Sequence, residues 1–265
     1  MKKLVFLVAT LSLGATAAAQ APVNPALQDK FYFAIGAFSP RTTTEAQLNS
    51  SSLGVGTNVT FEDSLDIAER KSVPILSGRW RVGERWRIEA EYFELNRSGN
   101  RVIDRDIQWG DVVYPVNAQV SSSFDFSDLR LSAGYSFFKR TDKELGVAFG
   151  LHMASYDVRL SSASAGTQQE DVLAPLPVIS VYGQFALTEQ WAVGGRLDRF
   201  TLSYDKFDGS LTSLGLDLTW QPFRHFGFGL AYRSLFIAME AEENDRTLKF
   251  KQTFQGPMLF ANASF

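Results

Sequence analysis

The chain has no cysteine, so neither disulfides nor thiolate metal ligands can hold its fold. It has two histidines, His152 and His225, which leaves few candidates for general-base catalysis. After residue 19 no apolar run approaches the roughly 18 residues that a membrane helix needs. A strong charge excess is also missing, because 26 Lys and Arg face 29 Asp and Glu for a net charge of −3. This balance argues against a general nucleic-acid binder, which would need a basic surface.

The N-terminus has the features of a secretory signal peptide. Two lysines after Met1 are followed by an apolar run from Leu4 to Leu13 and by the cleavage motif Ala17-Ala18-Ala19. About ten apolar residues cannot cross a hydrocarbon core that needs about 20. No cysteine follows the run, which excludes lipoprotein acylation. We therefore predict a signal peptide over residues 1–19, export, and a mature domain over residues 20–265.

A hairpin over residues 78–95, GRWRVGERWRIEAEYFEL, shows the pattern by which the other segments of the chain are interpreted. Between Trp86 and Tyr92 the even-numbered residues are apolar and the odd-numbered residues are charged. A period of two predicts a strand with one apolar and one polar face. Each apolar face also carries a tryptophan beside the turn. Soluble sandwiches alternate as well, but apolar residues outside, charges inside and aromatic residues at the rim are typical of a transmembrane β-barrel.

The alternation recurs through ten segments, which predicts an all-β, antiparallel, up-and-down transmembrane β-barrel of about ten strands, with eight as the alternative. Long and short connections alternate along the chain. We expect outer loops at residues 39–72, 161–174, 206–209 and 240–248, and a polar hairpin over residues 96–128 that turns at Gly110 and projects beyond the membrane. Past Arg199 the alternation blurs, which indicates a bulge or the exit from the membrane.

Tryptophans lie beside the short connections. Because aromatic residues collect at membrane interfaces, this position predicts an aromatic girdle at the periplasmic side, with the short turns and both termini there as well. The girdle residues are Trp80, Trp86, Trp191 and Trp220.

The last residue, Phe265, follows Leu259, Ala261 and Ala263 at the same parity. This ending resembles the terminal-strand signature of outer-membrane proteins. Residues 56–65, GTNVTFEDSL, followed by GRWR at 78–81, resemble a pattern in uncharacterised members of the group. The mature chain is thus similar to the small outer-membrane β-barrel proteins of proteobacteria, in the loose OmpW/OmpX-like sense. The expected strand number differs from that of OmpW, which argues against a hydrophobic conduit.

The resemblance is architectural and transfers no functional residues. It implies a location in the cell outer membrane and contact with membrane lipid and lipopolysaccharide. It also implies assembly by periplasmic chaperones and by the barrel-assembly machinery, which would recognise Phe265 as the assembly signal. We expect a monomer that binds no nucleic acid.

Catalytic and metal sites are not predicted, and neither is a cofactor. A barrel of ten strands resembles that of the omptin proteases, whose chemistry uses Asp and His at the extracellular rim. No histidine of this chain falls in a predicted outer loop. Lipid A deacylases use His and Ser on the lipid-facing wall, whereas His152 and Ser155 have opposite parity. The acidic residues Glu62, Asp63, Asp66 and Glu69 do not have EF-hand spacing, so we expect a solvated surface there.

Charged residues at inward positions are the most informative set. They define the predicted lumen charge network: Arg79, Arg81, Arg87, Glu89, Glu91, Arg130, Arg196, Asp198, Asp217 and Arg233. These charges could line a selective pore or pair into a plug. A barrel of eight to ten strands is mostly filled by its side chains, and buried charges must pair, so the plug is favoured. We expect a non-enzymatic surface or structural protein. A narrow channel for small solutes or ions is the alternative, and an outer-membrane enzyme acting on lipid or peptide is less favoured.

Overall fold

A computed structural model of the chain describes residues 23–49, 54–204, 207–243 and 246–265. The predicted signal peptide lies outside these residues. Within them, no helix has the length and apolar character required to cross a membrane.

The structure is a closed antiparallel barrel of ten wall strands, which confirms the predicted fold and favours ten strands over eight. The wall strands are β1 (Phe31–Phe38), β4 (Val73–Val82), β5 (Trp86–Val102), β8 (Gln119–Lys139), β9 (Lys143–Ser162), β10 (Gly166–Ala186), β11 (Trp191–Tyr204), β12 (Phe207–Trp220), β13 (Phe226–Glu243) and β14 (Arg246–Ser264). The shorter elements are α1 (Pro25–Gln28), β2 (Arg41–Leu48), β3 (Val59–Thr60), α2 (Phe61–Leu65), β6 (Ile107–Trp109) and β7 (Val112–Tyr114). Each wall strand pairs with the next, and β1 pairs with β14 to close the barrel.

Four short connections, residues 83–85, 140–142, 187–190 and 221–225, lie at one end of the barrel, together with α1 and the C-terminus. We call this the turn end and the opposite one the far end. The first and last strands meet at the turn end, where Phe31 and Phe265 exchange two backbone hydrogen bonds of 2.8 and 2.9 Å. β1 has aromatic residues at both parities, so its alternation does not predict which face points outward. The structure places Phe31, Phe33 and Ile35 outward and exposed.

The wall strands reverse their polarity part-way along. In the half of β8 nearer the turn end, Leu131 and Tyr135 point outward while Arg130 points inward. Toward the far end, Phe124 and Phe126 point inward and are buried, and the outward positions become polar. β8 has 21 residues, about twice the roughly 9–11 that a transmembrane strand needs. The barrel therefore has a turn half with an apolar outer face and a far half that is built like a soluble barrel.

An aromatic core fills the far half. The Phe126 and Phe254 rings lie 4.6 Å apart, and so do those of Tyr156 and Phe250. The hairpin β6–β7 folds over this core, where Trp109 is buried in contact with Phe61 of α2. The far half is consequently packed with rings from opposite walls: Phe38, Phe93, Phe124, Phe126, Tyr156, Phe250 and Phe254.

Several predicted loops are wall strands instead. Residues 161–174 run through the end of β9 and most of the first half of β10, and the described part of 240–248 continues β13 and β14. The expected projecting hairpin is also wrong, because residues 96–102 and 119–128 pair as barrel wall. The turn at Gly110 is right, with φ of 59°, but it caps the barrel instead of projecting. The outward residues of these strands are polar because the wall faces water there. This polarity is the reason why the sequence predicted loops.

Of the two alternatives for the blurred alternation after Arg199, a bulge or the exit from the membrane, the structure excludes the bulge. β11 pairs with β12 without a shift of register up to Tyr204, opposite Phe207, so the blurred alternation marks the exit from the apolar belt. Phe207, Asp208 and Gly209 of the predicted loop belong to β12, and Lys206 lies outside the described residues.

The expected loop at residues 39–72 contributes to the wall. β2 continues β1 along β14 in one register, with Phe38 opposite Met258 and Arg41 opposite Gln255. Beyond the end of β4, the opening between β2 and β5 is covered by α2. Gly99 of β5 permits this contact, because a Cβ there would overlap the carbonyl oxygen of Leu65.

Arg97 holds α2 in place. Its Nη1 lies 2.6 Å from the Glu62 carboxylate, and its Nη2 donates to the Thr44 hydroxyl at 2.8 Å. Burial lowers the pKa of Arg97, and the hydrogen bond and charge of Glu62 act in the opposite direction. Glu62 is buried, so the expected solvated surface is wrong for this residue.

Replacing Arg97 by methionine should destabilise the far half strongly, because it leaves Glu62 buried without its cation. We expect a loss of about 3–5 kcal/mol in the free energy of unfolding, measured by urea titration in lipid vesicles. Arg159→Met, at an exposed outward position of β9, is the control and should change stability by at most about 0.5 kcal/mol. Equal effects of the two substitutions would contradict the role of Arg97.

Candidate functional site in the barrel lumen

The ten residues of the predicted lumen charge network lie at inward positions of β4, β5, β8, β11, β12 and β13. Alternation along each strand places them there, since side chains two residues apart share a face. They lie in the turn half, beneath the aromatic core.

The layer nearest the turn end is a buried ion pair between Arg81 and Glu144. The two guanidinium nitrogens lie 2.9 and 2.6 Å from the two carboxylate oxygens, and the Ser136 hydroxyl donates to the same carboxylate. Arg87 lies 3.7 Å from Glu144 and stacks on the Tyr182 ring at 3.1 Å from its centroid. The bidentate pair of Arg81 and Glu144 combines charge with fixed geometry.

Glu144 is not in the predicted network, because it is the second residue of β9 and lies beside the charged turn at residues 140–142. Its parity with His152 along β9 was the available signal, since the same inward face continues through Gly146 and Gly150. Gly146 leaves room for the neighbouring aromatic ring, because a Cβ there would overlap Tyr182.

The middle layer is centred on Glu89. One carboxylate oxygen lies 2.5 Å from Arg196 Nη1 and the other 3.3 Å from Arg87 Nη2. Arg196 also contacts Asp198 at 2.6 Å and donates to the Ser180 hydroxyl at 2.7 Å. The side chains of three wall strands, β5, β10 and β11, thus meet on one carboxylate and its partners.

Glu91 and Asp128 form the layer nearest the aromatic core. Glu91 lies 3.6 Å from Arg130 and 3.5 Å from Arg233. Asp128 contacts His152 Nδ1 at 2.8 Å, and His152 Nε2 lies 3.8 Å from Asp198. Asp128 is a second acidic residue that sequence reasoning had assigned to the outer hairpin. With Glu144 and Asp128 included, six arginines of the lumen face six carboxylates.

Arg79 differs from the other lumen arginines. Its Nη1 donates to Gln184 at 2.7 Å and its Nη2 donates to the backbone oxygen of Ala26. Within the described ranges it has no carboxylate oxygen at 4.0 Å or closer, and neither does Asp217 have a cationic nitrogen at that distance. Arg87 and Arg196 thus form ion pairs within the network, whereas Arg79 is held by neutral acceptors.

The short helix α1 plugs the mouth of the barrel at the turn end. Asn24 caps the helix by accepting from Ala26 N at 3.0 Å, and its amide donates to the Glu189 carbonyl at 3.2 Å. Leu27 is 2% exposed inside the mouth, and Gln28 donates to the Thr141 carbonyl at 2.8 Å. The sequence signal for this helix was the pair Asn24-Pro25, a favoured N-cap followed by proline at N1.

Asp29 anchors the end of the plug through a bidentate contact with Arg224, at 2.6 and 2.8 Å. Partial burial raises the pKa of Asp29, but the hydrogen bonds and charge of Arg224 outweigh burial and hold the pKa below its ordinary value of 3.8.

A polar cavity of about 110 Å³ lies between the plug and the aromatic core. Ala26 and Leu27 close the side of the cavity that faces the turn end, and Met258 and Phe260 belong to the lining on the side of the aromatic core. Its charged lining residues are Arg79, Arg87, Glu89, Glu91, Arg130, Arg196, Asp198, Asp217 and Arg233.

The girdle tryptophans are exposed on the outer wall near the turn end, at Trp80, Trp86, Trp191 and Trp220. Trp191 and Trp220 stack with ring centroids 6.0 Å apart. Phe265 is 54% exposed beside them, and its ring stacks on His225 at 5.2 Å. The Ser264 carbonyl oxygen lies 2.8 Å from His225 Nδ1, so this histidine ties the last strand to the turn before β13.

Acid should release the plug. Because the pKa of Asp29 is lowered in the folded state, the Asp29–Arg224 pair contributes fully above about pH 3.8 and is lost as the pH falls through the lower, folded-state value. We expect protection of the Ala26 and Leu27 amides from hydrogen exchange to decrease over that range, after correction for intrinsic rates.

The variant Asp29→Asn should show the reduced protection at every pH, and Glu84→Gln, in an exposed turn, should behave as the wild type. Protection that does not change with pH would contradict the anchoring role of the pair.

No protein-family model matches the chain, and no curated protein matches it. Among solved structures, the outer membrane protease OmpT from Escherichia coli is similar with a TM-score of 0.56 at 9% identity, covering 88% of this chain and 97% of that one. OprG from Pseudomonas aeruginosa has a TM-score of 0.43 at 9% identity, with 93% and 98% covered, and Ail from Yersinia pestis has 0.37 at 9%, with 89% and 99% covered. The last two scores are too low to carry an argument, and the OmpW/OmpX-like resemblance stays a prediction. The likeness to OmpT concerns the fold alone: this chain has the closed antiparallel β-barrel fold that OmpT also has.

Proposed function

We propose that this chain is a non-enzymatic surface or structural protein of the outer membrane whose lumen is closed to solutes. One observation carries the proposal: the lumen is filled at two successive levels. The aromatic core fills the far half, and the lumen charge network with α1 fills the turn half.

The aromatic core supports closure because it is packed as the interior of a soluble protein. Phe124, Phe126 and Phe254 are each at most 1% exposed. Rings from β8, β9 and β14 touch across the barrel, and β6–β7 covers them. A continuous aqueous path would require these rings to separate.

The turn half supports the same conclusion through its charges. Arg81 and Arg87 are each 3% exposed, and Glu144 is 1% exposed. Side chains that line a water-filled pore remain hydrated, whereas these side chains are satisfied mainly by one another. Open aqueous channels are typical of barrels with about 16–18 strands.

The non-enzymatic part of the proposal rests on where the histidines lie. His152 is 2% exposed and its Nδ1 contacts the Asp128 carboxylate. Ser155 is exposed on the outer face of the same strand. His225 lies in a turn against Phe265. A general base must reach the proton that it removes, and neither imidazole is positioned beside a substrate-sized opening.

Orientation and partners follow from the outer wall. The girdle tryptophans support an orientation in which the turn end lies at the periplasmic interface and the polar outer face of the far half projects outward beyond the lipid. The apolar outer face of the turn half would contact lipid and lipopolysaccharide. We further propose export by the signal peptide, assembly through chaperones and the barrel-assembly machinery acting on Phe265, and a monomeric state.

A narrow passage for small solutes or ions is the second candidate. The polar cavity favours it, since about 110 Å³ of space already lies behind a plug of one four-residue helix. Withdrawal of α1 would open this cavity to the periplasmic side, but the aromatic core would still block the far half.

Single-channel recording in planar bilayers tests closure. The wild type should show conductance near zero. A variant lacking residues 23–29 should also stay near zero, because removing α1 leaves the aromatic core in place. As a positive control, Phe126→Ala combined with Phe254→Ala and the same deletion should raise the frequency of conducting events.

Steady conduction by the wild type would reject the proposal and assign the protein to the channel class. Steady conduction only after removal of residues 23–29 would show that the aromatic core is not a seal, and would favour the gated passage.

Single cysteines test the orientation, and the chain offers a clean background because it has none. A cysteine in place of Val55, 76% exposed at the far end, should react with a membrane-impermeant maleimide on intact cells. A cysteine in place of Glu84, in the turn after β4, should react only after the outer membrane is permeabilised. The reverse pattern would invert the orientation.

A further inference from the structure

We propose that Arg79 is a switch that releases α1 from the mouth of the barrel. In the closed state Arg79 donates to the backbone oxygen of Ala26. In a second state, with α1 withdrawn, it pairs with the carboxylate of Asp217. This inference deepens the closed lumen proposed above, since it describes how the turn end of that lumen opens and closes.

The pairing of the lumen charges leaves one arginine and one carboxylate over. Each of the other five arginines of the lumen charge network lies within 4.0 Å of a carboxylate oxygen. Each of the other five carboxylates of the lumen contacts an arginine or His152. Arg79 and Asp217 remain without an oppositely charged partner among the described residues, and both line the polar cavity. Each could therefore neutralise the other.

The wall brings Asp217 close to the guanidinium of Arg79. Arg79 Nη1 donates to Gln184 of β10 at 2.7 Å. Gln184 lies opposite Gly194 of β11, and Gly194 lies opposite Asp217 of β12. Residues opposite one another share a face of the sheet, and adjacent strands are about 4.8 Å apart. Asp217 thus lies two strand spacings from a residue that Arg79 already reaches.

Glycine at position 194 brings the carboxylate closer still. A Cβ at this position would lie 2.6 Å from Asp217 Oδ2 and 2.8 Å from Asp217 Oδ1. The carboxylate therefore lies over Gly194, on the side of Asp217 that faces Gln184. A guanidinium that turns away from Ala26 needs to move by only about one strand spacing to meet it.

The lumen is narrow enough for this pair. Arg196 of β11 lies 2.5 Å from Glu89 of β5, and these two strands are four steps apart around the wall. β4 and β12, which carry Arg79 and Asp217, are also four steps apart, through β1, β14 and β13. In the new pair both partners are charged, whereas in the closed state only Arg79 is. Hydrogen bonds between charged groups are among the strongest in proteins.

α1 is small enough to be released by one such exchange. It has four residues, and its buried side chains are those of Ala26 and Leu27. Isolated helices shorter than about 12 residues are marginal in water, so α1 should unfold when it leaves the mouth. The pair of Arg79 and Asp217 would offset part of the lost burial, which keeps the released state populated as a minority.

Amide hydrogen exchange at neutral pH in lipid vesicles measures the release. The amides of Ala26 and Leu27 donate to Asn24 within the closed plug, so they exchange when α1 leaves. Asp217→Asn removes the charged acceptor of the released state. We expect both amides to exchange at least about tenfold more slowly than in the wild type. A residue that only supports the wall would have the opposite effect, because its loss would speed exchange.

The controls separate the switch from general effects on stability. Asp125→Asn makes the same chemical change at an exposed outward position of β8 and should keep the wild-type rates. Arg79→Met should speed exchange, because α1 loses the donor to Ala26. When Arg79 is already methionine, adding Asp217→Asn should no longer slow exchange. If Arg79→Met alone does not fold, the double variant has a balanced lumen and should still exchange faster than the wild type.

The proposal is overturned if Asp217→Asn exchanges as fast as the wild type or faster, or if the double variant is also slowed. Single-channel conductance separates this failure from that of the proposed function. Unchanged exchange in a protein that does not conduct rejects the switch alone. Steady conductance by the wild type rejects the closed lumen itself.

Discussion

The structure depends on one constraint, which is that the same ten strands pass from hydrocarbon into water. In hydrocarbon the backbone must be fully paired, which requires a closed wall, and the outer face must be apolar. Beyond the lipid the outer face must be polar, so the apolar residues of the alternation turn inward. β8 shows the change at Asp128, where the outward Leu131 and inward Arg130 give way to the inward Phe126. A charged interior in one half and an aromatic interior in the other are both consequences of this reversal.

The width of the barrel decides what happens to the charged interior. Ten strands bring side chains from opposite walls into contact, so the arginines and carboxylates find partners across the lumen and not only along their own strands. Arg81 of β4 meets Glu144 of β9, and Arg196 of β11 meets Glu89 of β5. Glycine at position 146 leaves the space that the Tyr182 ring fills beneath Arg87. The result is a nearly balanced interior in which the aromatic core, the paired charges and α1 act as successive layers.

This layering also explains how a barrel with the fold of a protease can be proposed to have no catalytic role. The likeness to OmpT describes the wall, while any activity depends on which side chains the wall presents to solvent. Here His152 and every acidic residue of the lumen charge network except Asp217 contact arginines or one another. The far half presents polar strands and a mouth that the hairpin β6–β7 covers.

By itself the sequence determined the barrel, the ten strands, the inward position of the charged residues and the tryptophans beside the short turns, because a period of two and membrane polarity leave a local record in the chain. It also predicted that the short connections and both chain termini lie at one side. The far half was misread as loops, since polar outward residues look the same in a loop and in a strand that faces water. Only the tertiary structure decided that β2 and α2 complete the wall, that α1 fills the mouth, and that Glu144 and Asp128 complete the lumen charges. These contacts join residues far apart in the chain, as Arg97 joins Glu62 and as Ala26 meets Arg79, and no local pattern records which distant strand will lie opposite.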